Sequence, residues 1–208
     1  MTVAVPFFRL LLSAALLVSA SSTALAAATL GQAAPAFSAM DTAGKPVSLS
    51  DFRGKTVVLE WVNPGCPYVR KHYGAANMQA TQKAAVDKGV VWLAINSTAT
   101  DATDYLAPDK MGAWMMEQKA AATATLMDAD GKLGRSYGAR TTPHLYVIDT
   151  QGKLVYAGAI DSKPTARAAD IASATNHVKQ ALGEVLAGKP VSVPATQPYG
   201  CTIKYSAM

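Results

Sequence analysis

Two side chains in this sequence can do thiol chemistry, Cys66 and Cys201, and they stand 135 positions apart. In an oxidising compartment a lone pair of this kind is usually a structural disulfide, and that reading stays open here. What surrounds Cys66 argues for a more reactive role. An apolar run, Thr56 to Val62, ends at Asn63-Pro64-Gly65, and a helix is expected to begin at Cys66 or Pro67. Proline suits the first helical position, which places Cys66 at the N-cap. A thiolate there faces unpaired backbone N–H groups and the positive end of the helix dipole. Cysteines so placed have pKa values lowered from about 8.5 to roughly 3.5–7.5, so a nucleophile exists at neutral pH. Arg70, one turn further on, either adds positive charge or lies on a solvated face.

A second group of interest is Glu60, alone among β-branched and apolar neighbours. Either the strand lies at a sheet edge or the acid is buried, and the apolar flanks favour burial. His144 falls in an expected strand, and His72 and His177 fall on expected helices. None has a second ligand at metal spacing, so no metal centre is expected, and no cofactor is implied. Met111, Met115 and Met116 sit at helical spacing beside Trp114 and read as packing residues before copper ligands.

These groups need elements to position them. Thr56–Val62 and Val90–Ile95 read as buried strands. Between them a helix is expected from Cys66 or Pro67 to Asp87, with a bend near Gly74. That order is a strand–helix–strand unit, which predicts parallel strands with a right-handed crossover. Earlier, Gly31 to Phe37 forms an extended lead-in, Ala43-Gly44-Lys45 a turn between short strands, and Ser50 to Gly54 a single helical turn. Residues 97–125 are the least patterned, with a helix over Met111–Lys119. A short strand follows at Leu126–Asp128, then a short helix reaching Gly138. His144–Ile148 and Leu154–Gly158 flank Thr150-Gln151-Gly152-Lys153, a hairpin signature. Ile171, Val178, Leu182, Val185 and Leu186 mark one apolar stripe of a long helix, stopped by Gly188 and Pro190. The tail from Val191 to Met208 is punctuated by proline, and Pro198-Tyr199-Gly200-Cys201 reads as a mobile turn.

Taken together, the segment Glu60 to Arg70 resembles the active-site region of thioredoxins without a gap, and the chain from about residue 30 to 205 is similar to the AhpC/TSA-like redoxin family, especially its peroxiredoxin-like branch with a Cys-Pro-Tyr-Val site. The resemblance implies an α/β, thioredoxin-like fold with a central mixed sheet flanked by helices. It makes Cys66 the nucleophilic cysteine and Glu60 a buried acid that moves protons. It makes Thr142-Pro143 the cis-proline loop facing the sulfur, with Thr142, Pro143, Pro67 and Tyr68 contacting substrate. The departures matter as well. Val69 stands where a second cysteine would be, so the site is a monothiol. Leu59 and Asn63 stand where peroxiredoxins carry a proline and a threonine, so their peroxide chemistry does not simply transfer.

A monothiol needs a second thiol to release its intermediate. Cys201 is expected to be that resolving partner, against the alternative of a permanent Cys66–Cys201 staple. The sequence thus supports a thiol oxidoreductase acting on a peroxide or a protein disulfide, with an antioxidant or thiol-homeostasis role. The resemblance further implies reduction by a membrane thiol transporter of the DsbD type. The contrasting reading is a non-catalytic thioredoxin-fold binding module with a structural disulfide.

The ends and composition place this chemistry. Residues 1–27 read as an export signal: Arg9, an apolar run Leu10–Ala20, then Ala24-Leu25-Ala26 for cleavage after Ala26 or one residue later. An uncleaved anchor is the alternative, since no charge falls between Arg9 and Asp41. Residues 28–208 are then one redoxin domain with a Cys-bearing tail, exported to the periplasm of a Gram-negative cell. Loss of Arg9 lowers the net charge from +5 to +4, which helps solubility and says little about partners. No run of lysine and arginine with interleaved aromatics is present, so nucleic acid is not an expected partner.

Overall fold

The computed structural model describes residues 1–2 and 27–207; the expected export signal lies almost wholly outside them. Asp41 accepts at one carboxylate oxygen from the backbone N–H groups of Ala43 and Lys45. That turn reverses the chain between β1 (Ser38–Asp41) and β2 (Pro46–Ser48). The β-branched run becomes β3 (Val57–Trp61), and Val91–Asn96 becomes β4, every residue of both buried. They pair in parallel with Glu60 opposite Ala94, as the strand–helix–strand pattern predicts.

The intervening helix is not one bent rod. It splits into α1 (Pro67–Gly74) and α2 (Asn77–Val86), because Ala76 takes a left-handed φ of 55°. A non-glycine residue there costs about 1–2 kcal/mol, and the break lets the two helices pack in different directions. Next come α3 (Pro108–Glu117), β5 (Ala124–Met127) and α4 (Lys132–Tyr137). Then follow β6 (Thr141–Thr142), β7 (His144–Ile148) and β8 (Leu154–Gly158). Among the described residues one seven-stranded mixed sheet runs β2-β1-β5-β4-β3-β7-β8, with β3, β4 and β5 parallel and β7 antiparallel to β3. The expected hairpin of β7 and β8 is present.

The last helix is shorter than its apolar stripe suggests. Ile171 lies in a separate 3-10 turn (Ala168–Ser173), and α5 spans His177–Leu186. Asn176 starts that helix by accepting from the Lys179 N–H at 2.9 Å, a cap worth about 1 kcal/mol. The tail ends in β9 (Cys201–Thr202), antiparallel to β6 in a small ladder of its own.

Core side chains lie on both faces of the sheet. On one, α1, α2, α3 and α5 cover Val58, Val62, Trp92, Leu145 and Tyr156. On the other, α4 and the extended lead-in cover Leu59, Trp61, Leu93 and Tyr146. Met111 and Met115 join the first core as expected, whereas Met116 is exposed.

Candidate functional site

Cys66 occupies the N-cap of α1 with extended backbone (φ −80°, ψ 123°), and Pro67 takes the first helical position. The strand delivers it there through a tight turn: the Cys66 N–H donates to the Asn63 carbonyl at 3.0 Å, and the Gly65 N–H to the Asn63 side chain at 2.7 Å. The sulfur is almost fully covered. It is bonded to Cys201, whose Cα lies 5.8 Å away, and it sits 3.1 Å from the Thr142 carbonyl oxygen. The disulfide leaves no thiol proton for that contact; opening the bond supplies one, and the thiol then donates to Thr142. The Thr142–Pro143 peptide bond is cis. The structure therefore brings together Cys66, Cys201, Thr142 and the adjoining Pro143. Arg70 turns aside, its Nε donating to the Pro64 carbonyl at 2.8 Å, where it braces the turn.

Glu60 is fully buried, and three donors converge on it. Trp92 Nε1 and Gln82 Nε2 reach one carboxylate oxygen at 2.7 and 2.9 Å, and the Tyr73 hydroxyl reaches the other at 2.9 Å. Burial still dominates and pushes the carboxyl up to about 7, against the lowering effect of Trp92, Gln82 and Tyr73. Such a group changes charge near neutral pH. Among the described residues no hydrogen bond joins Glu60 to either sulfur. Its connection runs to α1 through Tyr73, whose ring packs on Trp114 of α3 at 4.8 Å.

Around Cys201, where the sequence suggests a mobile turn, the tail is seated as a strand and anchored on both sides. Tyr199 donates to the buried Asp161 carboxylate, and its ring packs on Tyr68 at 5.8 Å. Asn77 donates to His72 Nδ1 at 2.8 Å, which leaves the proton on Nε2 to be donated to the Tyr199 hydroxyl at 3.2 Å. Lys71 Nζ, wholly buried, lies 3.6 Å from Asp161 and donates to the Lys163 carbonyl at 2.9 Å. Burial lowers His72 to about 4; Asp161 opposes that shift and Lys71 adds to it. On the other side of Cys201, Lys204 Nζ meets Asp104 at 2.8 Å, and Asp104 accepts from Asn63 at 3.0 Å. Burial pushes Asp104 up, but Lys204 and Asn63 outweigh it and hold the carboxyl below its ordinary range. Gly200 takes a φ of +137°, and a Cβ there would collide with the Thr142 carbonyl. Glycine is required at that position.

Sequence reasoning missed Tyr73, Gln82 and Trp92 around Glu60, and the group Lys71, His72, Asp161 and Tyr199 behind the tail. The only available signal was strand parity: with Val58 opposite Trp92 and Glu60 opposite Ala94, Trp92 shares a face with Glu60. That parity is useful only once the register is known.

A mixed sheet with a cysteine at the junction of a central strand and a helix, facing a cis-proline loop, defines a thioredoxin-fold thiol protein. Residues 30–157 match the AhpC/TSA family, and the chain belongs to it. It is similar to the thiol-disulfide oxidoreductase ResA of Bacillus thuringiensis subsp. konkukian (strain 97-27), 27% identical over 61% of this chain and 67% of that protein. Among solved structures it is similar to a hypothetical protein from Sinorhizobium meliloti 1021, 26% identical with a TM-score of 0.73, covering 86% of this chain and 96% of the other. It is also similar to the thioredoxin domain of a thiol-disulfide oxidoreductase from Bacteroides vulgatus, 25% identical with a TM-score of 0.50, covering 70% of this chain and 96% of that domain.

Proposed function

We propose that this protein is an exported thiol-disulfide oxidoreductase in which Cys66 is the attacking thiolate and Cys201 the resolving thiol. One observation carries the reading: a cysteine at a helix N-cap is joined to a cysteine on a strand laid against the Thr141–Thr142 edge. The Cys66 thiolate attacks a substrate disulfide and releases one substrate thiolate. Cys201 then attacks Cys66 Sγ, releasing the second substrate thiolate and re-forming the internal disulfide. An external dithiol restores both thiols, and a membrane thiol transporter of the DsbD type fits that role in an oxidising periplasm. Glu60, titrating near neutrality, takes and returns protons. Pro67, Tyr68, Thr142 and Pro143 line the substrate's approach, and no cofactor is required.

Membership of the AhpC/TSA family favours a second substrate for the same sulfur. Attack on a peroxide oxygen gives a Cys66 sulfenic acid and an alcohol or water; Cys201 then condenses with it, releasing water. The deciding experiment exposes the reduced protein separately to hydrogen peroxide and to a disulfide-bonded protein, following both cysteines by mass. Rapid return of the internal disulfide with stoichiometric substrate thiols supports disulfide reduction. A protein that reacts with neither, with a potential below about −300 mV, would instead be a binding module with a structural bond.

A further inference from the structure

The tail that carries Cys201 has the geometry of a bound partner. Thr202 pairs with Thr141 and Cys201 with Thr142 in antiparallel register, and the Ile203 N–H donates to the Arg140 carbonyl at 3.0 Å. Addition of an extended strand to an exposed edge is a common way of holding a peptide. Any cysteine that forms a disulfide with Cys66 needs its Cα within roughly 4.4–6.8 Å of the Cys66 Cα, and Cys201 stands at 5.8 Å. Two backbones cannot share that place, because paired strands run about 4.8 Å apart and Gly200 is already pressed against the Thr142 carbonyl.

Most of the tail lies at the surface, not in the core. Of residues 191–207 only Ile203 is buried. The rest is held on either side of the disulfide: Tyr199 on Asp161 and His72, Lys204 on Asp104 and, through its carbonyl, on the Ala99 N–H, and Tyr205 on the Ala139 carbonyl. The Thr142 hydroxyl, buried beside the sulfur, has no hydrogen-bond partner while the tail is seated. It is a polar group that the tail strand does not use.

We infer that residues 197–206 are a tethered stand-in for substrate: an extended, cysteine-bearing segment of another protein docks on the Thr141–Thr142 edge only when the tail withdraws, and the tail's return expels it. The inference rests on the thiol-disulfide reading of Cys66. Reduction by an external dithiol converts the Cys66–Cys201 bond to two thiols and the dithiol to its disulfide. The Cys66 thiolate then attacks the partner's disulfide, forming one bond to the partner's sulfur while the other partner sulfur leaves as a thiolate. Finally the Cys201 thiolate attacks Cys66 Sγ, and the partner's remaining sulfur leaves as its thiolate. In this scheme resolution and product release are one event, a strand exchange coupled to a thiol exchange.

The test uses the Cys201→Ser protein, in which a Cys66 adduct cannot be resolved. One sample is reacted with hydroxyethyl disulfide, leaving a small adduct. The other is reacted with a ten-residue peptide whose central cysteine carries a thionitrobenzoate disulfide, leaving a peptide adduct. Backbone hydrogen exchange is then compared. The expected result is that residues 199–205 exchange at least tenfold faster in the peptide adduct than in the small one. Arg140 to Thr142 should stay protected in both, and the paired residues of β7 and β8 should be unchanged. Tyr199→Phe in the same background should speed capture of the peptide several-fold relative to capture of hydroxyethyl disulfide. Equal tail protection in the two adducts overturns the inference and leaves the thiol chemistry standing. Failure of Cys66 to react with either disulfide overturns both.

Discussion

Tyr73 donates its hydroxyl proton to Glu60 across 2.9 Å, so the helix that begins at Cys66 is fastened to a buried carboxyl on the neighbouring strand. The same carboxylate holds Trp92 of β4 and Gln82 of α2. A change of charge on Glu60 is therefore felt in the packing of α1 and α2 against the sheet.

Glu60 should make stability fall as pH rises. Its folded pKa is raised from 4.5 to about 7. The unfolded chain thus loses this proton first, and folding is penalised progressively from about pH 4.5 to 7. The full penalty is on the order of 3 kcal/mol. Urea unfolding of the oxidised protein and of Glu60→Gln, at pH 4.5 and pH 8, should show the variant gaining on the native protein by up to that amount. A constant difference at both pH values would mean that Glu60 is not held protonated by burial.

His72 should act in the opposite direction. Its pKa is depressed from 6.5 to about 4 by burial, so the unfolded chain binds this proton more readily. Stability is present above about pH 6.5 and lost as pH falls towards 4. His144, lowered to about 3 by burial and by Arg140, has the same sign. The histidines and Glu60 partly cancel in the native profile, and the variants separate them. Replacing His72 with Gln should flatten the acid limb by about 3 kcal/mol, read from melting temperatures between pH 4 and 7.

The Cys66 thiol should titrate below the free-cysteine value. Its N-cap position favours the thiolate, while donation to the Thr142 carbonyl favours the thiol, and the helix terminus has the larger influence. In Cys201→Ser, the rate of alkylation against pH should inflect well under about 8.5. An inflection at or above that value would show that the carbonyl contact wins and the sulfur is not activated.

Loss of the Cys201 thiol should separate the first step from turnover. With Cys201→Ser the initial attack on a disulfide substrate stays fast, a Cys66 adduct accumulates to one equivalent, and multiple turnover falls at least tenfold. Unchanged turnover with the same dithiol would make the reductant the resolving agent. The substitution also removes a cross-link worth up to about 5 kcal/mol in the chain-entropy model.

Gly200→Ala should unseat the tail without touching either sulfur. A Cβ at φ +137° strains the backbone and meets the Thr142 carbonyl. The variant should lose about 2–4 kcal/mol and reduce more readily with dithiothreitol, monitored by thiol trapping. A bond as resistant as that of the native chain would mean that the β6–β9 ladder relaxes around the extra carbon.

The thioredoxin-fold frame around Cys66 was legible in the sequence because it is local. A β-branched run ending at Asn63-Pro64-Gly65, with Cys66 before Pro67, specifies a strand, a turn and a helix N-cap through contacts within a few residues. The burial of Glu60, the parallel pairing of β3 with β4 and the β7–β8 hairpin followed from apolar patterning and turn residues in the same way. The interruption near Gly74 was legible, and α1 ends there; that it is a full break was not, since no residue type demands a left-handed backbone at Ala76, and the packing of two helices on one sheet decides it. The stripe containing Ile171 misled because apolar spacing ignores the cap at Asn176. The seating of the tail was least legible of all. Proline and glycine in Pro198-Tyr199-Gly200-Cys201 suggest mobility when only neighbours in sequence are considered. Tyr199 finds Asp161 and His72, and Lys204 finds Asp104, across separations of 38, 127 and 100 residues. Local propensity carries no information about partners so distant. Only the assembled fold, by fixing where Thr142 and Asp161 stand, turns a loose tail into a docked strand opposite Cys66.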